Sequence, residues 1–145
     1  MDTRKAAKQD FLPLMRALVR AYQGFTNYDA AGYRESGLTP SQADVIFTLG
    51  NTDGLTCKEI GDLTLITKGT LTGVIDRLEK KQLVERYACP SDRRCIRVTL
   101  NNRGRDLFEQ EFPRQIKYLK QRFDRLNATD QRQATHYLQK LADLF

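Results

Sequence analysis

The chain reads TCKEIGDL from Thr56, TKGTLTGVIDRLEKK from Thr67 and LVERYACPSDRRCIRVTL from Leu83, and these three segments decide its fold. In the first segment, Thr56 and Glu59 have the spacing of a capping box, which opens a helix by satisfying two backbone N–H groups. We therefore expect a two-turn helix that ends near Leu63.

The second segment predicts a helix with one apolar side. Its apolar residues recur at i, i+3, i+4 and i+7, a spacing that forms a single stripe, and they are Leu71, Val74, Ile75 and Leu78. We expect Thr67 to cap this helix. We also expect the two apolar residues of the preceding turn, Thr64-Leu-Ile66, to be buried. The other side of the helix is small and polar, as if built to lie against another surface.

The third segment changes to a period of two, which indicates strands. Apolar and polar residues alternate on both sides of Pro90-Ser-Asp92. A β-hairpin is therefore predicted, with Arg93 and Arg94 on its rim. A helix, a tight turn, a second helix and a basic hairpin, in this order, are typical of a winged helix-turn-helix. That fold lays its second helix in the major groove of DNA.

Long amphipathic helices are predicted on both sides of this unit. Apolar residues recur at helical spacing through residues 4–28, where Pro13 allows a kink or a later start. The same spacing returns over residues 101–126, interrupted by Pro113, and Asn127-x-x-Asp130 opens a last helix. We call these flanking helices the N- and C-terminal arms. We expect the arms of two copies to bury their apolar stripes against each other across a two-fold axis.

The predicted fold class is therefore mainly α with a small β-hairpin wing, a winged helix-turn-helix with N- and C-terminal dimerisation helices. The predicted domains are a helical dimerisation region at residues 1–36 and 101–145 and a DNA-binding domain at residues 37–100. Such a dimer would hold two recognition helices about 34 Å apart, the length of one DNA turn, and would read a near-palindrome.

Charge is distributed unevenly along the 145 residues, whose formal net charge is +6. Residues 36–66 hold one Lys and four acidic residues, a balance of −3, whereas residues 67–97 hold eight basic and four acidic residues, a balance of +4. The positive charge thus coincides with the second helix and the hairpin, which favours a polyanionic partner. No apolar run approaches the ~18 residues of a membrane span, so we expect a cytoplasmic protein.

Six motifs, taken in order, resemble the MarR family of bacterial transcription regulators. They are LTPSQ from Leu38, LTCKEI from Leu55, ITKGTLT from Ile66, RLEKKQLVER from Arg77, Asp92-Arg-Arg94, and Leu100 with Gly104. The resemblance spans roughly residues 38–113. It implies a homodimeric, sequence-specific DNA-binding regulator, usually a repressor that a small phenolic or anionic ligand, or cysteine oxidation, releases from double-stranded DNA.

The resemblance also implies which residues meet DNA. The matching positions of the recognition helix are Lys68, Gly69, Thr70, Thr72, Gly73 and Arg77. Asp92 and Arg94 match the wing motif, in which the acid orients an arginine that enters the minor groove, and Arg93 and Arg86 lie nearby. Arg77 could instead pair with Asp76 or Glu79. Lys80 and Lys81 suit a solvated helix end as well as phosphate contact.

Three positions depart from the family pattern. Gln82 stands where a glycine usually closes the recognition helix, so this end needs another cap or a strained backbone. Asn101 replaces a common Thr, a mild change because both residues cap helices. Gly69 and Gly73 stand where larger polar residues are common, although each costs about 1 kcal/mol relative to Ala inside a helix. We hypothesise that they let the backbone approach DNA closely.

The three cysteines are Cys57, Cys89 and Cys95, an odd number that favours reduced thiols over a disulfide framework. Cys57 is expected in the first turn of a helix, where the dipole favours the reactive thiolate. Cys89 and Cys95 flank the wing tip, where a disulfide is conceivable. Its formation would deform the tip and weaken DNA binding. Phe25, Tyr28 and Tyr33 could line an effector pocket, although such residues are more often core.

Other functions find less support in the sequence. Three Cys and His136 lack the spacing of a zinc site, and no nucleophile triad or phosphate loop is present, so neither a metal, a cofactor nor an enzyme is predicted. A winged-helix module that binds protein remains an alternative. Steep salt dependence and a preference for one operator would favour DNA binding over that alternative.

Overall fold

The structure is a computed structural model that describes residues 2–145. Seven α-helices, a short 3₁₀ helix and three strands follow one another in the order α1 (Thr3–Ala6), α2 (Leu12–Gly32), the 3₁₀ helix (Arg34–Ser36), α3 (Pro40–Leu49), β1 (Leu55–Thr56), α4 (Cys57–Leu63), α5 (Lys68–Lys80), β2 (Val84–Cys89), β3 (Asp92–Leu100), α6 (Asn102–Phe123) and α7 (Ala128–Ala142). Within residues 2–145, every helix is too short or too polar to cross a bilayer.

The chain divides into two compact units, Met1–Pro40 and Ser41–Phe145. In the first unit, the predicted helix over residues 4–28 is wrong as one continuous element, because α1 ends before α2 begins. Pro13 explains the break: it lacks an N–H group and is tolerated best in the first turn of a helix, which is its position in α2. The later start that the proline allowed is therefore confirmed.

The core of the second unit is built on α3, α4, α5 and the sheet. The predicted apolar stripe of α5 is confirmed, since all four of its residues are buried. The side chains buried with it include Val45, Ile46, Leu49, Ile60, Val98 and Leu100. Burying each such side chain is worth about 1.5–3 kcal/mol, so this core fixes the helix-turn-helix independently of any exposed contact.

The wing is part of a three-stranded antiparallel sheet with strand order β1-β3-β2. The predicted hairpin is confirmed, and β1, which was not predicted, pairs Leu55 with Val98 and Thr56 with Arg97. Two residues are too few to show a period of two, so β1 left no sequence signal. Ile96 stays 43% exposed because it lies on the last regular rung, Ala88 to Ile96, near the free end.

The turn between α4 and α5 is held by a hydroxyl group. The expectation that both of its apolar residues are buried is wrong, because Leu65 is 87% exposed and Ile66 only half-buried. Thr64 is buried instead, and its Oγ1 donates to the Ile60 carbonyl at 2.9 Å and accepts from the Ile66 N–H at 3.4 Å. The side chain of Thr64 therefore replaces apolar burial as the restraint on this reversal.

Two helix caps behave differently. The Thr56 capping box is confirmed in both of its hydrogen bonds. Thr67 occupies the N-cap position of α5, but the side-chain cap predicted there is wrong. Its Oγ1 donates to Thr70 Oγ1 at 3.1 Å, so the hydroxyl is committed to another side chain.

The C-terminal arm is less interrupted than its sequence suggested. The expected break at Pro113 is wrong, because α6 runs through it from Asn102 to Phe123. Pro113 and Glu109, whose carbonyl loses its partner, are both exposed, so water can satisfy that oxygen. The caps are as predicted: Asn101 and Asn127 each accept from the backbone N–H three residues on.

The end of α5 adopts the strained backbone that Gln82 predicted. Gln82 has a φ of +57°, in the left-handed region. Its N–H donates to the Glu79 carbonyl at 2.9 Å, and the Leu83 N–H donates to the Leu78 carbonyl at 3.0 Å, which is the Schellman arrangement. A helix end that usually requires glycine is thus closed by a residue with a side chain.

Candidate nucleic-acid interface

The outer side of α5 presents small residues and cations. Lys68, Gly69, Thr70, Thr72 and Arg77 are exposed and Gly73 is half-buried. Because the opposite stripe is anchored in the core, the backbone beneath these residues is held rigidly. A rigid, small-residue helix face is suited to a shaped surface such as a DNA groove.

Cations around α5 and the wing fall into two sets. The first set makes no ion pair within the part of the chain that the structure describes, and it consists of Lys68, Arg77, Lys80, Arg93 and Arg94. Arg77 therefore does not form the alternative pairing with Asp76 or Glu79. Exposed charges left without partners remain available to phosphates.

Arg86 belongs to the second set, whose side chains have protein partners. Its guanidinium binds the carboxylates of Asp76 (2.6 Å) and Glu79, and its side chain is 28% exposed. Partial burial alone would lower the pKa of Arg86, but the hydrogen bond to Asp76 and the charge of Glu79 together raise it. Arg86 thus connects β2 to α5 and has both ends of its guanidinium occupied.

The wing base is fastened to the turn that precedes β1. Tyr87 Oη donates to the Asp53 carbonyl at 2.8 Å, and Arg97 Nη1 donates to the Gly54 carbonyl at 2.8 Å. Gly54 has a φ of +113°, and a Cβ atom there would lie 2.7 Å from Tyr87 Oη. The wing strands therefore close over a turn that only glycine fits.

Glu59 connects the wing base to α4. Its carboxylate accepts from the Thr56 N–H at 2.7 Å and lies 3.5 Å from Arg97 Nη1. The hydrogen bond from the Thr56 backbone lowers the pKa of Glu59 against a smaller effect of desolvation, and Arg97 lowers it further. One carboxylate thus serves both the helix cap and the sheet.

At the wing tip, Asp92 organises backbone and not an arginine side chain. The resemblance implied that Asp92 orients the Arg94 guanidinium, but Asp92 Oδ1 accepts from the backbone N–H of Arg94 at 2.9 Å. Among the described residues, the side chains of Arg93 and Arg94 have no hydrogen-bond partner. The tip therefore positions Arg93 and Arg94 through their backbone, while their side chains stay unrestrained.

The cysteines divide into a bonded pair and a free thiol. Cys89 and Cys95 form a disulfide, so the expectation of reduced thiols is wrong for this pair. The hairpin places the two residues with Cα atoms 5.4 Å apart, within disulfide range. Cys57 is exposed with a free thiol and lines a cleft of about 410 Å³ beside α5.

The three aromatic residues considered for an effector pocket all lie in the first unit. Phe25 is exposed, Tyr28 is half-buried and Tyr33 is buried, with its hydroxyl donating to Asp29 Oδ1 at 3.1 Å. Their role toward a ligand stays a prediction.

Sequence reasoning missed the fastening residues of the wing base. Tyr87 and Arg97 belong to the predicted hairpin, and the sequence assigns neither of them a contact. Their partners, Asp53 and Gly54, lie 34 and 43 residues away in the chain. The local sequence signal at their partners is the Asp53-Gly54 dipeptide, which predicts a turn but does not predict that the wing strands bind it.

Comparison with known proteins gives one consistent result. The MarR family model matches residues 38–96. The chain is 32% identical to the HTH-type transcriptional regulator MhqR of Bacillus subtilis over 102 residues, which cover 70% of each protein. It is 27% identical to the HTH-type transcriptional repressor MdtR of the same organism over 138 residues, covering 95% of this chain and 89% of MdtR.

A solved structure extends the likeness to almost the whole chain. Bordetella bronchiseptica BpsR superimposes with a TM-score of 0.81 at 28% identity, covering 93% of this chain and 96% of BpsR. The BpsR structure concerns the mechanism by which 6-hydroxynicotinic acid regulates DNA binding of BpsR.

Proposed function

Because the chain belongs to the MarR family of transcription regulators, we propose that it binds a near-palindromic operator in double-stranded DNA as a homodimer. In this proposal α5 enters the major groove, and the wing tip carries Arg93 and Arg94 to the adjacent minor groove. The working hypothesis is a bacterial, cytoplasmic repressor that a small ligand releases from DNA.

The observation that carries the proposal is the set of unpaired cations. Lys68 and Arg77 lie on the exposed side of α5, and Arg93 and Arg94 lie at the wing tip. Arg86 is not in this set, because its guanidinium is paired with two carboxylates. Each phosphate neutralised by such a cation releases counterions, so these groups supply salt-dependent affinity. Thr70 and Thr72 provide hydroxyl groups suited to base edges.

Exposed apolar side chains support the homodimer. α2 and α7 have no buried residue, although both carry large apolar side chains. The exposed ones on the two arms include Phe11, Leu14, Val19, Tyr22, Ile116, Phe123, Tyr137 and Leu138. Covering them with a second copy would recover about 1.5–3 kcal/mol for each side chain that becomes fully buried. We propose residues 1–36 and 101–145 as the dimerisation region and residues 37–100 as the DNA-binding domain.

Repression and ligand release are the finer part of the proposal. The similarity to the transcriptional repressor MdtR and to BpsR, whose DNA binding 6-hydroxynicotinic acid regulates, supports a repressor with a small aromatic acid as a model effector. Phe25 and Tyr28 offer aromatic surface for a phenolic or anionic ligand, whereas Tyr33 is buried and would have to be uncovered to contact one. A ligand would act by changing the distance or angle between the two DNA-binding units.

The glycines of α5 support a close approach to DNA. A Cβ atom at Gly69 would meet nothing within 4 Å, and one at Gly73 would meet only Arg77 Nη2 at 3.7 Å. Alanine would therefore fit the free protein at both positions and stabilise the helix. The hypothesis is that DNA, and not the protein itself, leaves no room for a side chain at these positions. Gly73→Ala should therefore weaken operator binding. Unchanged affinity and unchanged sequence preference would remove this hypothesis.

The main test is selection of bound sites from random DNA by the full-length protein. We expect an enriched near-palindrome whose half-sites are one helical turn apart, and affinity that falls steeply with added salt. A monomer in solution would contradict the proposal. Weak, salt-insensitive binding without sequence preference would point instead to a winged-helix module that binds protein.

A further inference from the structure

The wing tip contains a break in strand register that a disulfide bridges. β2 and β3 pair regularly up to Ala88 and Ile96, and the register then shifts so that Cys89 lies opposite Asp92. The segment Arg93–Cys95 falls between the two registers and has no partner in β2. The bond between Cys89 and Cys95 crosses this bulge. Both arginines of the tip therefore lie inside the loop that the disulfide closes.

We propose that Cys89 and Cys95 are a reversible redox site and that the cross-linked wing grips DNA more tightly than the reduced wing. The proposal rests on the proposed function and concerns the regulation of the same interface. Its sign is opposite to the expectation that oxidation deforms the tip and weakens binding. The reason is that the cross-linked loop leaves Arg93 and Arg94 exposed.

Preorganisation gives the direction of the effect. In the cross-linked wing the bulge is restrained at both ends by Cys89 and Cys95, and inside by the Asp92 bond to the Arg94 N–H. A loop that is already ordered loses less conformational entropy when its side chains enter a groove. After reduction, the covalent restraint is gone, and the arginines are held by the Asp92 bond and by the strand pairs Cys89 with Asp92 and Ala88 with Ile96.

The chemistry requires an oxidant, and a low-molecular-weight disulfide such as oxidised glutathione suffices. Cys95 is half-buried and Cys89 is buried, so Cys95 is the sulfur that an external reagent reaches first. The Cys95 thiolate attacks the reagent and releases one thiol, leaving a mixed disulfide. The Cys89 thiolate then attacks Cys95 Sγ and releases the second thiol. Two protein thiols and one small disulfide thus become one protein disulfide and two small thiols.

The cytoplasmic location proposed above makes such a pair informative. In a reducing compartment, disulfides of mesophilic proteins are mostly transient and serve catalysis or redox sensing. Placed in the DNA-binding element itself, this pair would let the redox state set operator affinity without moving the dimer arms.

The first measurement follows the covalent state of the full-length protein. It is equilibrated in mixtures of reduced and oxidised glutathione, alkylated and weighed by intact mass spectrometry. We expect reversible formation of one internal disulfide in the parent chain and in Cys57→Ser, and none in Cys89→Ser or Cys95→Ser. Failure of the parent chain to form this bond would overturn the proposal.

The second measurement compares operator affinity of the fully oxidised and fully reduced protein at one salt concentration. We expect roughly three- to tenfold tighter binding by the oxidised protein, from ordering of two long side chains. Cys57→Ser should keep this ratio and the double variant Cys89→Ser with Cys95→Ser should abolish it. Equal affinity, or weaker binding after oxidation, would overturn the inference. Loss of operator preference in both redox states would instead overturn the proposed function.

Discussion

The base and the tip of the wing carry the same residue type and use it in opposite ways. At the base, Arg86 and Arg97 are bound to carboxylates and carbonyls of neighbouring elements. At the tip, the side chains of Arg93 and Arg94 make no hydrogen bond or ion pair among residues 2–145. The base therefore uses arginine to build the domain, and the tip keeps arginine available for an external anion.

This difference shows that charge counting alone does not locate an interface. Residues 67–97 hold eight basic residues, but Lys81 donates to Gln42 Oε1 at 3.0 Å, and Arg86 and Arg97 are also engaged. Long cationic side chains at a surface gain little from single exposed carboxylates, so pairing at the base depends on several partners that converge. At the tip, the Asp92 carboxylate binds the Arg94 backbone N–H and leaves both guanidinium groups unpaired, so the positive field there is left for DNA.

The largest expected effect is a loss of stability at Gly104, where α6 packs closely against Leu83, the residue before β2 at the wing base. A Cβ atom at Gly104 would lie 1.9 Å from the Leu83 carbonyl oxygen, a backbone atom that cannot move aside cheaply. Gly104→Ala should therefore lower the free energy of unfolding by about 2–3 kcal/mol. Gly69→Ala is the matched control, because its Cβ meets open space, and should raise stability by up to about 1 kcal/mol. Equal thermal stability of the two variants would show that the base tolerates rearrangement.

The next effect separates the two roles of arginine. Arg94→Ala should lower operator affinity by about 1–3 kcal/mol and reduce the salt slope by about one, with unchanged thermal stability. Arg86→Ala should lower thermal stability by about 1 kcal/mol, since it leaves Asp76 and Glu79 without their cation. Its effect on affinity should be the smaller of the two. If Arg86→Ala weakened binding more than Arg94→Ala, the division between base and tip would be wrong.

A smaller gain is expected at the end of α5, where the base begins. Gln82→Gly removes the side chain from a left-handed backbone and should stabilise the protein by about 0.5–1 kcal/mol. The gain is limited because Gln82 Oε1 accepts from Arg103 Nη1 at 2.8 Å. Gln82→Ala loses the same contact and keeps the strain, so it should not stabilise. Chemical denaturation of the three proteins measures the difference, and a gain in the alanine variant would contradict the explanation.

The smallest expected effect is a pH dependence from Glu59. Its pKa is lowered in the folded protein from the ordinary value of 4.5, chiefly by the Thr56 backbone N–H. The carboxylate therefore stabilises the fold above pH 4.5, and this contribution is lost as the pH falls through the lower folded pKa. Glu59→Gln should melt below the parent chain at neutral pH, and the gap should close under acid. A gap that is constant with pH would assign the effect to packing.

Particular residues show how far sequence reasoning reached. The stripe of α5, the Thr56 capping box and the Asn101 and Asn127 caps were predicted because each depends on neighbours within one or two helical turns. The burial of Leu65 and the break at Pro113 were predicted wrongly. In both, a local rule was overridden: by the Thr64 hydroxyl at the turn, and by solvent access to the unpaired Glu109 carbonyl. The DNA-contact residues stay a prediction, although exposure and missing partners support most of them.

The amino-acid order by itself determined the main helices, the hairpin, the caps at Thr56, Asn101 and Asn127, the basic segment and the family, because periodicity and capping act over a few residues. Only the tertiary structure decided which cations pair with carboxylates inside the domain, which turn the wing strands bind, and that Cys89 and Cys95 form a disulfide. Those outcomes depend on pairs such as Tyr87 with Asp53 and Arg97 with Gly54. The physical reason is that a hydrogen bond or disulfide needs atoms brought together by the packed core, and spacing along the chain does not specify that meeting.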